Sequence, residues 1–240
     1  MLMILLVSCD VENGDVSTSV SSESSTTVSA EWDDGFEEWD DGFDEWEESG
    51  SVTSAESTED SEFPYVECNE ETDLVIISVK GYGKIVVALM PEAAPETVAN
   101  FKGLVSDKFY DGLIFHRVIN GFMIQGGGFD KNFVQQKADT IKGEFASNGV
   151  ANDLKHTRGV ISMARTLIPD SATSQFFIMH EDAPHLDGQY AAFGNTVYGI
   201  EVVDKIAESA TTTYYIHGMP FSDSPINIVE IESIRFAKEK

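Results

Sequence analysis

Phe115-His-Arg-Val-Ile-Asn-Gly-Phe-Met-Ile-Gln-Gly-Gly127 decides how the chain is read. Phe115, Val118 and Ile119 flank His116 and Arg117, and Asn120-Gly121 separates this run from Phe122-Met-Ile124. Short apolar runs divided by Asn and Gly read as short strands joined by turns. An arginine inside such a run ordinarily marks a solvated face, and Phe122 and Met123 taken alone would be core residues.

The pattern continues on both sides. Toward the N-terminus, Leu74–Lys80 and Lys84–Met90 are apolar, β-branched runs around Gly81-Tyr-Gly83, which predicts a β-hairpin. Pro91 and Pro95 follow, and Val98, Phe101, Leu104 and Val105 have helical spacing, which predicts a helix over 95–106 with Pro95 in its first turn. Toward the C-terminus lie Gly159–Ala164, Gln175–Met179 and Ala191–Phe193, then a short helical pattern over Gly199–Ala207 and a last strand over Ile226–Phe236. Many short strands with two helices predict a mostly β barrel or sandwich, and periodicity goes no further.

The motifs do. Phe115–Gly127 resembles the signature of the cyclophilin-type peptidyl-prolyl isomerases. Pro95-Glu-Thr-Val-Ala-Asn-Phe101, Phe109-Tyr-Asp-Gly112, the block from Gly159-Val-Ile-Ser-Met-Ala-Arg165 through Ser174-Gln-Phe-Phe-Ile178, and Leu186-Asp-Gly188 with Phe193-Gly194 resemble the same family in the same order. The resemblance runs from about Leu74 to the C-terminus. It implies a closed eight-stranded antiparallel barrel capped by two helices, with the active site on the outer face because side chains fill the interior of so small a barrel.

The reaction it implies needs few parts. Amide resonance sets a barrier of about 18–20 kcal/mol to C–N rotation, and at Xaa-Pro bonds exchange takes roughly 10–100 s. Lowering that barrier takes no nucleophile, metal or cofactor. It takes an apolar slot for the pyrrolidine ring, a fixed donor beside the twisted amide and an anchored flanking backbone, so that the transition state is bound better than the ground state. By resemblance Arg117, Phe122 and Gln125 are catalytic, with Arg117 donating to the proline carbonyl and assisting the ring nitrogen. Met123, Phe177 and Leu186 complete the proline pocket with Phe122, Gln175 works with Gln125 to hold Arg117 and the substrate backbone, and Ala164 and Arg165 offer backbone groups. His116, His185 and Tyr190 fall at further substrate-binding positions.

The chain departs from the family at several places. His185 stands where eukaryotic members carry the Trp that is a main contact for cyclosporin, Tyr190 where they carry His, and Gly128 where an Asp is usual. A polar segment, Phe129–Thr140, replaces a Gly-rich loop, and the stretch from Arg165 to Gln175 is longer by about one residue than in eukaryotic members. His116, His156, His180 and His217 are scattered without metal-ligand spacing, and Cys9 and Cys68 are too few for a cysteine-based zinc site.

Charge divides the chain. The net charge is −27, which opposes binding to a phosphate backbone. Of the 42 acids, 23 precede Leu74, where there is no Lys or Arg; the other 19 face 15 bases, a net of −4. Residues 1–9 form a short apolar run ending Leu6-Val-Ser-Cys9, which resembles a lipoprotein signal peptide and implies lipidation of Cys9, although no Lys or Arg precedes the run. Residues 10–72 read as a disordered acidic tether rich in Ser and Thr. Within it Glu31-Trp-Asp-Asp-Gly-Phe repeats with a period of seven, placing Trp32, Trp39 and Trp46 in register. Gly35 and Gly42 oppose a coiled coil, leaving a solvated spacer or an aromatic motif for a basic or apolar partner. Residues 73–240 read as the isomerase domain of a monomer that acts on proline-containing polypeptides, tethered outside the cytoplasm by a membrane lipid anchor. A proline-binding module with incidental turnover, or a protein working through its Trp repeat, are the alternatives.

Overall fold

The structure, a computed structural model, describes residues 63–240. Cys9 and the Trp repeat lie outside the described residues. The elements in chain order are β1 (Tyr65–Glu67), β2 (Leu74–Val79), β3 (Gly83–Leu89), α1 (Pro95–Ser106), β4 (Leu113–Ile119), β5 (Met123–Asp130), β6 (Val160–Met163), β7 (Phe176–Met179), β8 (Ala192–Tyr198), α2 (Ile200–Ala207), β9 (Thr211–Ile216), β10 (Met219–Pro225) and β11 (Val229–Glu239).

Eight strands close on themselves in the order β11-β2-β3-β8-β6-β7-β5-β4, and pairing of Val229 with Phe115 and Glu230 with Ile114 joins the last to the first. Every pairing is antiparallel. Closure leaves no open edge in the ring. Its interior is filled by one apolar cluster to which alternate residues contribute: Val75, Ile77 and Val79 from β2, Ile85, Val87 and Leu89 from β3, Ile231, Ile234 and Phe236 from β11. Phe101 and Tyr110 cross the centre, with Phe101 edge-on to Phe176 at 5.8 Å and tilted against Phe193 at 5.2 Å.

Both helices pack onto this interior. α1 buries Thr97, Val98, Phe101 and Val105 along one face. Its N-cap residue, Ala94, has no capping side chain. The buried Glu144 caps from a distant loop instead, accepting the Glu96 N–H at Oε1 (3.1 Å) and the Thr97 N–H at Oε2 (2.7 Å), so a carboxylate meets the positive end of the helix. α2 buries Val202, Val203, Ile206 and Ala207. Gly199 precedes it in the left-handed region, φ 81°, where a Cβ would run into the Lys84 carbonyl oxygen.

The barrel departs from the sequence reading at its ends. β1 pairs with the end of β11, and Thr72 Oγ1 donates to the Ala237 carbonyl at 2.8 Å, so residues 65–72 belong to the fold rather than to the tether. β11 starts at Val229 rather than Ile226, because the Ile226 N–H bonds the Ala210 carbonyl and closes the base of a β9–β10 hairpin. That hairpin was not read from the sequence, where Thr- and Tyr-rich text interrupted by Gly218, Pro220 and Pro225 shows no alternation.

Candidate active site

Three rows of side chains run across the adjacent strands β4, β5, β7 and β6, and their register decides what faces out. Residues directly opposite in an antiparallel pair share a face. Val118, Ile124, Ile178 and Ile161 are successive partners, and all belong to the interior cluster. One residue away, Arg117, Gln125, Phe177 and Ser162 are successive partners and therefore face outward. Ile119, Met123 and Met179 form a third row on the same outer face.

A β-bulge makes this arrangement possible. Phe115 pairs with Gly126 and Arg117 with Gln125, so His116 is an extra residue in β4. Without it Phe115 and Arg117, two apart, would share a face. The bulge switches parity, so Phe115 fills the interior while Arg117 faces out. His116 takes the leftover position. Its ring is buried edge-on against Phe129 at 4.8 Å, and burial, followed by the Arg117 charge, lowers its pKa to about 3.

The outer face carries its own apolar cluster, separate from the interior one: Met123, Val160, Ala164, Phe177, Met179, Ala183, Leu186 and Ala192, with Phe122, Tyr190, Ile119 and Leu154 packed against it. Phe122, Met123, Ala164, Phe177, Leu186 and Tyr190 are thus brought together. Tyr190 stands edge-on to Phe177 at 5.8 Å. His185 stacks on Phe122 at 5.8 Å.

The polar groups border this cluster. Gln125 Nε2 donates to Gln175 Oε1 at 3.1 Å, and both side chains are buried. Gly128 makes room for this pair, since a Cβ there would overlap Gln175 Cγ. The Arg117 side chain is only 17% exposed; Nε lies 3.5 Å from Asp223 Oδ2, and the buried Nη1 has no partner among the described residues. Burial lowers the Arg117 pKa and the facing Asp223 opposes that shift, so the guanidinium stays a cation with an unspent donor. The Ala164 N–H donates to the Gln175 carbonyl at 2.9 Å. The Arg165 guanidinium lies over the rings of Phe145 (4.8 Å) and Tyr190 (4.6 Å) and donates to the Gln189 and Thr166 carbonyls.

The family model described as cyclophilin type peptidyl-prolyl cis-trans isomerase matches residues 74–235, which is the closed barrel and its two helices. The chain belongs to this family. Among curated relatives of this cyclophilin, the peptidyl-prolyl cis-trans isomerase of Acinetobacter baylyi is 48% identical over 163 residues, covering 65% of this chain and 84% of that one. Peptidyl-prolyl cis-trans isomerase B of Escherichia coli is 44% identical over 162 residues, 64% of this chain and 93% of its own. Among solved structures, a cyclophilin-type isomerase of Cryptosporidium parvum, crystallised in the presence of the dipeptide Ala-Pro, superposes with a TM-score of 0.57 at 28% identity, covering 68% of this chain and 98% of that one. The activity of this cyclophilin is peptidyl-prolyl cis-trans isomerisation.

Several participants were not singled out as site residues in the sequence. The His156 imidazole stacks under Phe177 at 6.1 Å and bridges Asp187 Oδ1 (3.1 Å at Nδ1) and Ser162 Oγ (3.0 Å at Nε2). Burial lowers the His156 pKa, so the ring supports the floor of the cluster as a neutral group. Phe145 and Asp223 reach the site from irregular or hairpin segments whose local text carries no signal for it.

Proposed function

We propose that the outer-face cluster of this cyclophilin is the proline slot and that Arg117 drives the rotation. The observation that carries this reading is a half-buried guanidinium, its buried Nη1 without a partner among the described residues, directly opposite Gln125 and two strands from Phe177. The pyrrolidine ring sits among Phe122, Met123, Phe177 and Leu186. Gln125 and Gln175 orient the substrate backbone, and the Ala164 carbonyl and Arg165 backbone align the flanking residues. As the C–N bond twists, resonance is lost and the proline nitrogen gains a lone pair. Arg117, fixed in a partly dehydrated setting, donates to the substrate more strongly at that point than to the planar amide. No bond is made or broken and no proton leaves the enzyme.

The tail supports a proposal about where this happens. Lipidation of Cys9 would anchor the protein outside the cytoplasm, and the acidic stretch before the barrel, with no Lys or Arg, would hold the domain off the surface to act as a monomer on exported polypeptides. A Cys9→Ser variant tests the anchor: the wild type should partition with membranes and take up radiolabelled palmitate, and the variant should do neither. Equal labelling and partitioning of the two would overturn it.

A further inference from the structure

The β9–β10 hairpin carries a built contact to Arg117. Register slips between Phe221 and Ser224, so Ser222 and Asp223 form a bulge in β10. Asp223 there adopts φ 58°, the left-handed region that a side-chain-bearing residue adopts at a cost in strain. Bulges beside functional sites re-aim a side chain, and this one turns the Asp223 carboxylate onto Arg117 Nε at 3.5 Å.

The hairpin is pinned where the aim is set. Ser224 Oγ donates to the carbonyl of His116, the residue before Arg117, at 2.6 Å. Phe221 packs edge-on against Phe129 at 5.1 Å and against Phe133 at 4.9 Å, and Phe129 covers His116. The bulge in β4 that turns Arg117 outward and the bulge in β10 that turns Asp223 toward it are therefore tied together.

We propose that Asp223 is a positioning residue for the isomerisation: its carboxylate, ion-paired with Arg117 on the Nε side, restricts the guanidinium and leaves the unpartnered Nη1 donor for the substrate. This rests on the reading of Arg117 as the group that meets the proline amide. A carboxylate on the Nη edge would compete with the substrate, whereas one at Nε removes the rotational freedom of the side chain without occupying that edge.

Asp223→Asn is the informative variant, because Asn also tolerates the left-handed region and keeps the bulge. With a Xaa-Pro peptide, kcat should fall about 10-fold, as expected for losing a group that orients a catalytic one, while KM changes less than about twofold and the melting temperature stays within a degree or two of wild type. Asp223→Glu should recover part of the loss. By NMR, the Arg117 Nε–H resonance should be protected in the wild type and broadened in the Asn variant. Unchanged or raised kcat, a loss confined to KM, or a loss that tracks melting temperature would overturn the proposal. Failure of Arg117→Ala to lower turnover would instead overturn the catalytic reading on which it rests.

Discussion

Phe122 and His185 lie ring on ring, 5.8 Å between centroids and 24° between planes, so His185 forms a wall of the proposed proline slot. An imidazole is smaller than the indole that eukaryotic cyclophilins place here, and at this exposed wall the lost ring contact weakens binding by about 0.5–1.5 kcal/mol, or roughly 2–10-fold. Cyclosporin should therefore inhibit this protein more weakly, and His185→Trp should recover much of that difference in an inhibition titration. Tight inhibition of the wild type would refute the assignment of that wall.

What could be read in the sequence depended on whether a residue's role was written in its own strand. The hairpin of β2 and β3, both helices and the outer row from Arg117 to Phe177 lie in segments with strong local patterning, and the motif text around Phe115–Gly127 carried the rest. The parity switch at His116 was not legible: a bulge adds one residue to an apolar run without altering its composition. The resemblance alone groups His116 with substrate-binding residues; the structure adds that its ring is buried edge-on against Phe129. Glu144 and Asp223 act across 47 and 106 residues of chain on Thr97 and Arg117, and no local pattern points that far.

The remote cap gives a stability prediction. Glu144→Ala leaves the part-buried Glu96 N–H and the buried Thr97 N–H unpaired at the start of α1. Losing charge-assisted bonds of this kind costs about 2 kcal/mol, which for a domain of this size lowers Tm by roughly 4–8 °C. Thermal denaturation at neutral pH measures it, and a shift under one degree would mean that the cap contributes nothing.

The buried His116 makes stability depend on pH. Its folded pKa of about 3 lies below the ordinary histidine value of 6.5, so between those values the unfolded chain binds the extra proton. Stability is then full above the unfolded pKa and declines as pH falls through the window from 6.5 toward 3. By pH 4.5, two units below the unfolded pKa, the loss from this group is about 2.7 kcal/mol. His156, also lowered by burial, adds in the same direction. Denaturant midpoints for wild type and His116→Gln at pH 7 and 4.5 isolate the His116 part: the variant should lose less stability across this interval. Equal slopes would show that His116 does not titrate with unfolding.

In the proposed mechanism a single outward-turned arginine beside an apolar cluster supplies the catalysis. The direct measurement is kcat/KM of Arg117→Ala on a Xaa-Pro peptide, with circular dichroism and melting temperature recorded on the same sample. Removal of one preorganised donor should lower kcat/KM by about 10²–10³-fold in a protein that still folds, because Arg117 faces out of the barrel and the interior cluster does not include it. A folded Arg117→Ala protein that isomerises the peptide at near wild-type rate would contradict a catalytic role for Arg117.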